Sequence, residues 1–252
     1  MSLPGTVYLV GAGPGAADLL TLRAARLLGE ADIVFHDALV PEEILRLAGR
    51  ARRVAVGKRS GRHCTEQRFI NKRLADAAAR YRVVVRLKGG DPMLFGRAHE
   101  EIEHLARAGI AVEVVPGVTA ALAASAALGV SLTRRGVARS VAFLTPRVGE
   151  GERDSDWVAA ALAADTVAIY MGAGEAAAIR DALLAGGKPA DTPVAWAESA
   201  SLRDAALRYG SLARLPEMAA AAGDGPSLIL LGEVFRRGSV RLEALDDDAL
   251  VA

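Results

Sequence analysis

Short apolar runs rich in β-branched residues alternate along this chain with alanine- and leucine-rich segments whose apolar residues recur at helical spacing. Regular alternation of strands with helices is typical of an α/β architecture, which is the fold class predicted here. The predicted strands are 6–10, 33–35, 54–56, 83–87, 112–115, 140–144, 167–170, 193–197 and 227–231. The predicted helices are 19–28, 41–47, 70–79, 100–108, 119–128 and 175–184.

The alternation of strands and helices restarts after Pro116-Gly117, and this predicts two domains. Glycine and proline interrupt regular structure, so this dipeptide and the loop 147–156 are the candidate hinges. We predict an N-terminal α/β domain over 1–117 and a C-terminal α/β domain over 118–243. The acidic residues that follow form a predicted tail over 244–252.

Composition excludes several classes of protein. A chain of 252 residues that is 52% hydrophobic and 24% charged is folded over most of its length. Its apolar stretches are shorter than the ~20 residues of a membrane helix, and its start lacks a secretory pattern. With 31 basic and 30 acidic residues, it has no net charge suited to general nucleic-acid binding. We therefore predict a cytoplasmic protein that binds neither nucleic acid nor membrane.

The cysteine and histidine content argues against a disulfide framework and against a metal site. Cys64 is the single cysteine, and the chain has four scattered histidines. One thiol cannot form an internal disulfide, and so few ligands make a structural zinc site unfavourable. The sequence therefore predicts no metal cofactor.

The segment Gly11-Ala12-Gly13-Pro14-Gly15-Ala16 satisfies the G-x-G-x-x-G/A pattern of dinucleotide-binding proteins. Asp37 follows at the distance where such folds place the acid that binds ribose. One hypothesis is therefore an NAD-dependent oxidoreductase. Two features oppose it: Pro14 removes an N–H from the loop that would hold the pyrophosphate, and the helical pattern begins several residues late.

A second glycine-rich loop, Lys88-Gly89-Gly90-Asp91-Pro92, follows the most apolar strand of the first half. Consecutive glycines let a ligand approach the backbone closely, and Asp91 suits a ribose diol or a ligand amino group. The alternative is an ordinary left-handed turn that opens an Asp-Pro segment. These residues alone leave both interpretations open.

Taken together, six segments resemble the tetrapyrrole methyltransferases in order and in spacing. The resemblance covers residues 5 to about 235 and is closest to the members that methylate uroporphyrinogen III. The matching segments are Gly-Ala-Gly-Pro-Gly at 11–15, Asp-Ile-Val-Phe-His-Asp at 32–37, Val-Gly-Lys-Arg-Ser-Gly-Arg-His at 56–63, Val-Val-Arg-Leu-Lys-Gly-Gly-Asp-Pro with Gly-Arg at 84–97, Val-Val-Pro-Gly-Val-Thr at 114–119 and Ile-Tyr-Met-Gly at 169–172.

The resemblance implies two α/β domains with the active-site cleft between them, and a homodimer. It implies S-adenosylmethionine as co-substrate, S-adenosylhomocysteine as product and no metal. The acceptor would be uroporphyrinogen III, methylated at C2 and C7 to give precorrin-2 for sirohaem, cobalamin or haem d1. By position, the residues that match the family's cofactor contacts are Pro14, Gly89, Gly90, Asp91, Leu94, Thr119, Ala120, Met171, Ala200 and Ser227. Met171 in isolation is more typical of a core residue.

The resemblance also implies catalytic roles, and these compete. Asp37 and Lys58 match a base and an acid, whereas Arg97 matches an arginine credited with assisting proton removal. An arginine is a poor base because its pKa exceeds ~12, so we favour Arg97 as an anchor for a substrate carboxylate. The alternative for Asp37 and Lys58 is a surface ion pair at neighbouring strand ends.

The acceptor carries many carboxylates, and arginines bind carboxylates through two parallel hydrogen bonds. The matching substrate positions are Arg59, Arg62, Arg97, Glu100 and Arg135. This chain departs from the family pattern at Ala16, Ala98-His99, Arg134-Arg135-Gly136 and Pro146. These departures leave open a related tetrapyrrole as acceptor, or a protein that binds a tetrapyrrole without turnover.

Overall fold

The computed structural model describes residues 4–56, 67–148 and 155–236. The chain forms two compact units. The first unit runs to Ala123 and also includes Ser199–Asp204, whereas the second comprises Ala124–Glu198 and continues from Ala205. The boundary predicted at residue 117 lies shortly before the end of the first stretch. The predicted acidic tail, 244–252, lies outside the described residues.

The first unit is built on a five-stranded sheet of order β3-β2-β4-β1-β5, in which each neighbouring pair is parallel. Its strands are β1 (Thr6–Gly11), β2 (Ile33–His36), β3 (Arg52–Ala55), β4 (Val83–Lys88) and β5 (Val112–Val115). Because all five strands run the same way, the loops that follow them meet at one edge of the sheet. Ligands bind at this edge in open parallel α/β sheets.

Helices cover both faces of this sheet. They are α1 (Leu22–Glu30), α2 (Glu42–Arg46), α3 (Gln67–Ala78), α4 (Ala98–Arg107) and α5 (Ala120–Leu128), the last of which spans the limit between the units. Successive residues of a strand point to opposite faces. Val84 of β4 accordingly packs with Leu74 and Leu105 of α3 and α4. Val85 packs on the other face with residues of α1 and α2.

The second unit contains a mixed five-stranded sheet of order β6-β7-β10-β8-β9. Its strands are β6 (Val141–Leu144), β7 (Thr166–Tyr170), β8 (Pro193–Glu198), β9 (Ala206–Ser211) and β10 (Ser227–Gly232). Its further helices are α6 (Trp157–Ala163), α7 (Ala176–Ala185) and α8 (Leu215–Ala220). Only β6 and β7 pair in parallel; the other neighbours are antiparallel. The side chain of Trp196 on β8 is fully buried in the core of this unit.

The predicted strands and helices are confirmed, with ends that shift by a few residues. Helix α1 begins later than predicted, at Leu22, because 17–19 form a separate 3-10 turn. Thr21 then caps the helix by accepting a hydrogen bond from the Ala24 N–H.

Three elements escaped the sequence analysis: α6, β9 and α8. Strand β9 lies at the edge of the second sheet, and its residues are half-buried throughout, so it lacks the apolar run that marks the other strands. Gly210 weakens the strand pattern further, and it lies close to the Met218 side chain. A Cβ at this position would lie 2.6 Å from the Met218 sulfur of α8.

A search for membrane spans among the described residues finds no helix with the length and apolarity to cross a bilayer.

Candidate active site

Three loops meet through glycine backbones at the carboxyl edge of the first sheet. Gly11 ends β1, Gly90 follows β4, and Gly117 follows β5. A Cβ added to Gly117 would lie 2.3 Å from the Gly90 carbonyl oxygen, and a Cβ added to Gly11 would lie 2.6 Å from the Gly117 Cα. Real side chains do not approach backbone so closely, so glycine is required at Gly11 and Gly117. The three loops therefore approach each other more closely than a side chain at either glycine would allow.

Three backbone N–H groups of the first glycine-rich loop, those of Ala12, Gly13 and Ala16, already donate hydrogen bonds to other parts of the chain. The Gly13 N–H donates to the Gly90 oxygen at 3.2 Å, and the Ala12 N–H donates to the Lys88 oxygen at 2.7 Å. The Ala16 N–H donates to the Ser201 hydroxyl oxygen at 3.1 Å. A pyrophosphate site needs such amides free and a helix that begins directly after the loop. Because α1 begins only at Leu22, the loop geometry does not support the NAD hypothesis.

The second glycine-rich loop combines the two interpretations left open by the sequence. Gly90 adopts a left-handed conformation with φ of 67°, as the turn interpretation predicts. A Cβ placed there would meet nothing within 4 Å, so the backbone also borders open space that a ligand can enter.

Asp91 connects the loop after β4 to the loop after β5 by hydrogen bonds. One carboxylate oxygen accepts from the Met93 N–H at 2.8 Å, and the other accepts from the Gly117 N–H at 3.0 Å. Each carboxylate oxygen can accept a second hydrogen bond, so these contacts leave acceptor capacity for a ligand.

The other predicted cofactor positions fall into two groups, one in each unit. In the first unit, Ala120 begins α5 and Thr119 immediately precedes it, two residues after Gly117, and Ala200 lies in the segment Ser199–Asp204. Pro14 and Leu94 follow β1 and β4 in the same unit, and both are partly buried. In the second unit, Met171 directly follows β7 and Ser227 begins β10, and these two strands pair antiparallel. The structure thus brings Met171 and Ser227 to the same edge of their sheet.

Strained backbone coincides with the predicted site. The non-glycine residues with positive φ in the described ranges are Phe95, Arg97, Met171, Ser199 and Ser201. Such conformations cost of order 1–3 kcal/mol each and persist where the surroundings impose them, often at functional sites. Met171 is 46% exposed. The interpretation of Met171 as a core residue is therefore wrong.

Arg97 and Glu100, both predicted to contact substrate, are paired with each other. Arg97 Nε and Nη2 donate to the two Glu100 carboxylate oxygens at 2.6 and 2.8 Å. Arg97 is the residue from which α4 begins, and the two side chains are about half exposed. An exposed pair at this spacing contributes only about 0.3–0.5 kcal/mol, so a substrate carboxylate can compete for the guanidinium.

Of the remaining predicted substrate and catalytic residues, the structure describes Arg135 but not the three residues near position 60. Arg135 is exposed in the turn closed by the Arg134–Ala138 bridge. Lys58, Arg59 and Arg62 lie outside the described residues.

A buried charge network lies beneath the same edge of the first sheet, and the sequence analysis missed it. Arg86 and Lys88 of β4 are both 3% exposed, and Glu101 of α4 is 0% exposed. Arg86 Nε donates to Glu101 Oε1 at 3.1 Å, and Lys88 Nζ donates to the two Glu101 oxygens at 3.2 and 3.3 Å. Gln67 Nε2 of α3 donates to Glu101 Oε1 at 3.0 Å. Buried charges persist only when they are paired in this way.

Asp37 joins this network from the end of β2. Arg86 Nη2 donates to Asp37 Oδ1 at 2.6 Å, and the Asp37 N–H donates to the Leu87 oxygen at 3.2 Å. The alternative from sequence was a surface pair between Asp37 and Lys58. The structure pairs Asp37 with a buried arginine on the adjacent strand. Because Lys58 lies outside the described residues, the pair with Lys58 stays untested.

Burial lowers the pKa of the Lys88 ammonium below its usual value of 10.5. The neighbouring charge of Arg86 lowers this pKa further, whereas the carboxylates of Glu101 and Asp37 oppose the shift. Glu101 therefore offsets part of the free-energy cost of burying the charged side chains of Arg86 and Lys88.

A sequence signal for the network exists. Arg86 and Lys88 stand two residues apart in an otherwise apolar strand, which places them on the same face of the sheet. Glu101 shares the buried face of α4 with Ala98 and Leu105, at the spacing of an apolar position. A charged residue at such a position requires a buried partner of opposite charge.

No group of three or more histidine, cysteine or carboxylate side chains that could hold a metal ion occurs within 4–56, 67–148 and 155–236. The absence of a metal cofactor stays a prediction.

Comparison with known proteins gives concordant matches. The family model of Tetrapyrrole (Corrin/Porphyrin) Methylases matches residues 6–216. Siroheme synthase of Chromobacterium violaceum is 48% identical over 232 residues, and siroheme synthase 3 of Aeromonas hydrophila is 46% identical over 231 residues. Each alignment covers 91% of this chain and 49% of the relative. The chain therefore spans about half the length of the curated relatives it matches.

Solved structures match over nearly the whole chain. The uroporphyrin-III C-methyl transferase of Thermus thermophilus, in complex with S-adenyl homocysteine, is 41% identical with a TM-score of 0.81. That match covers 92% of this chain and 99% of the Thermus chain. A cobalt precorrin-4 methyltransferase is 26% identical with a TM-score of 0.77 and covers 91% of this chain and 95% of its own. The family model, the relatives and the two-sheet α/β fold agree, and this chain belongs to the tetrapyrrole (corrin/porphyrin) methylases.

Proposed function

We propose that this chain transfers methyl groups from S-adenosylmethionine to C2 and C7 of uroporphyrinogen III, giving precorrin-2 and S-adenosylhomocysteine. The observation that carries the proposal is the similarity, over nearly the full length of both chains, to a uroporphyrin-III C-methyl transferase crystallised with S-adenyl homocysteine. The proposal concerns methyl transfer alone, because the siroheme synthases extend well beyond the matched region.

The loops at the carboxyl edge of the first sheet fit the proposed co-substrate. Gly89 and Gly90 let a ligand approach the backbone, and Asp91 retains acceptor capacity for a ribose hydroxyl or the amino group. Thr119 and Ala120 follow directly on the loop that Asp91 fixes. In the second unit, the exposed thioether of Met171 suits contact with adenine or with the sulfonium chain.

The sulfonium supplies an activated methyl group, so the protein has to orient the reactants and move a proton. Asp37 presents a partly exposed carboxylate at the strand edge, and we assign it the role of base. We assign Lys58 the role of acid on the family resemblance. Arg97, with Arg59, Arg62 and Arg135, would bind carboxylates of the acceptor, and Glu100 would position the Arg97 guanidinium.

Methyl transfer to uroporphyrinogen III under anaerobic conditions tests the proposal directly. The full chain is incubated with S-adenosylmethionine and the acceptor. The product is then oxidised, its fluorescence is recorded, and its mass is determined by mass spectrometry. We expect the mass of two added methyl groups. In parallel, calorimetry compares S-adenosylhomocysteine with NADH. Binding of S-adenosylhomocysteine without product formation would indicate another tetrapyrrole acceptor or loss of turnover, and binding of NADH alone would refute the proposal.

We further propose that the chain forms a homodimer, as the family resemblance implies. Sedimentation velocity at several protein concentrations measures this state. A single species at the mass of one chain would contradict it.

A further inference from the structure

One oxygen of the Asp37 carboxylate accepts a hydrogen bond from inside the protein, whereas the other accepts none from the described residues. Oδ1 accepts from Arg86 Nη2 at 2.6 Å, while Oδ2 has no hydrogen-bond partner within the described ranges. The Asp37 side chain is 30% exposed. The residue is thus reachable from solvent but fixed from inside the protein.

Three nitrogens determine the orientation of Arg86. Nε donates to Glu101 Oε1 at 3.1 Å, Nη1 donates to the Leu87 oxygen at 3.2 Å, and Nη2 donates to Asp37. Because a guanidinium is planar and rigid, three fixed contacts leave it a single orientation. Lysine carries the same charge, but it cannot make these three contacts in one plane.

The charges beneath the sheet edge do not balance without Asp37. Arg86 and Lys88 are two buried cations, and Glu101 is the one fully buried carboxylate that contacts both. The carboxylate of Asp37 supplies the missing negative charge. Asp37 is therefore an integral member of the network.

The network also reaches the turn that carries Arg97. A Cβ added to Gly96 would lie 3.1 Å from Lys88 Cε, so this turn lies directly over the Lys88 side chain. Glu101 stands one helical turn beyond Arg97 on α4. Glu101 thus pairs with Arg86, which contacts Asp37, and lies on the helix that begins at Arg97.

We propose that Arg86 is a positioning residue for methyl transfer, holding the Asp37 carboxylate ready at the sheet edge with Glu101 as its buried counter-charge. The inference rests on the proposed function. It predicts that Arg86 acts through Asp37 and makes no contribution of its own to binding either substrate.

The test is a double-mutant cycle on the full chain, with kcat, KM for both substrates and the single-turnover rate of methyl transfer as readouts. The variants are Arg86→Gln, Arg86→Lys, Asp37→Asn and each Arg86 change combined with Asp37→Asn. We expect Arg86→Gln to lower kcat at least about tenfold, a fraction of what a positioned base contributes. We expect KM to stay within about twofold, and Arg86→Lys to recover part of the rate.

The decisive result is the double variant. If Arg86 acts through Asp37, adding either Arg86 change to Asp37→Asn lowers kcat no further. Losses that multiply would overturn the inference, as would Arg86→Lys with the kcat of the wild type. Should Arg86→Gln fail to fold, the cycle with Arg86→Lys gives the same decision, since that change keeps the buried charge beside Glu101.

Arg107→Gln is the matched control, because Arg107 forms an exposed pair with Glu103 on α4. It is expected to leave kcat unchanged. A wild-type chain that yields no methylated product would refute the proposed function and this inference with it. A wild type that is active with multiplicative losses refutes the inference alone, so the two failures are distinguishable.

Discussion

The Asp91 carboxylate joins two loops that lie 26 positions apart, because its Oδ2 accepts a hydrogen bond from the Gly117 N–H at 3.0 Å. The same side chain closes its own turn through the Met93 N–H. Both loops carry residues proposed to bind the co-substrate, so the geometry of that site depends on this carboxylate.

Asp91→Ala is accordingly expected to weaken binding of S-adenosylhomocysteine at least about tenfold, or ~1.4 kcal/mol. Asp91→Asn keeps one oxygen acceptor and should weaken binding less. Calorimetry measures both, with Asp181→Ala as control because Asp181 is an exposed partner of Arg180 in the second unit. A folded Asp91→Ala protein with the wild-type dissociation constant would remove this loop from the site.

Gly11 and Gly29 offer a matched pair of glycine substitutions. A Cβ at Gly11 would overlap the backbone of Gly117 and Gly90, whereas a Cβ at Gly29 would meet nothing within 4 Å. We expect Gly11→Ala to lower the free energy of unfolding by about 1–3 kcal/mol through overpacking. Gly29→Ala, in helix α1, is expected to raise it by roughly 0.5–1 kcal/mol. Urea denaturation distinguishes the two, and equal effects would contradict the proposed close approach of the loops.

The Arg97 side chain tests recognition of the acceptor. Arg97→Lys keeps the charge but loses the two-pronged contact, and Arg97→Ala loses both, so affinity for uroporphyrinogen III should fall in that order. Arg97→Ala is expected to cost roughly 1–3 kcal/mol in acceptor binding, with little change for S-adenosylhomocysteine. Equilibrium binding and single-turnover rates are measured side by side.

Two outcomes would revise the role of Arg97. Normal acceptor binding with lost turnover would assign it to proton removal. Retention of both would reduce it to an exposed partner of Glu100 at the start of α4, as Arg107→Ala should behave on the same helix.

Glu198 contributes to the acid stability of the second unit. Hydrogen bonds from the Gly223 and Gly225 N–H groups and from Arg208 lower the pKa of Glu198 below its usual value of 4.5. The folded state thus favours the ionised form, so this contribution is present above pH 4.5 and is lost as the pH falls through the lowered pKa.

Glu198→Gln should therefore lower the free energy of unfolding by about 1–3 kcal/mol at neutral pH. The difference from the wild type should shrink below pH 4.5. Denaturation over pH 3–7 measures it, and Glu217→Gln, at an exposed pair with Arg214, is the control expected to show almost no effect. A constant difference across this range would contradict the assignment.

The sequence predicts most strands of this protein because their patterns are local. β1 and β10 are largely buried apolar runs, and β4 begins with one, and such runs are recognisable without knowledge of their neighbours. Strand β9 escapes because its edge position demands no such run. The glycine-rich loops were likewise visible in the sequence, since their residue types are needed wherever the backbones meet.

The charge network shows where prediction from local pattern ends. The sequence analysis assigned no role to Arg86 or to Glu101. Their significance lies in pairing across β4, α4 and the end of β2, which joins residues 15 and 49 positions apart. Such pairs require the tertiary fold. The roles of Lys58, Arg59 and Arg62 stay predictions.

The hydrogen bond from the Ala16 N–H to Ser201 has a consequence for how the chain is made. The two residues are separated by 185 positions, yet both belong to the first unit. On the ribosome, strands β1 to β5 emerge long before Ser201, so the sheet can assemble while its first glycine-rich loop still lacks this partner. Completion of that loop must wait until translation has passed β8. A nascent chain halted before that point would lack the hydrogen bond between the Ala16 N–H and Ser201.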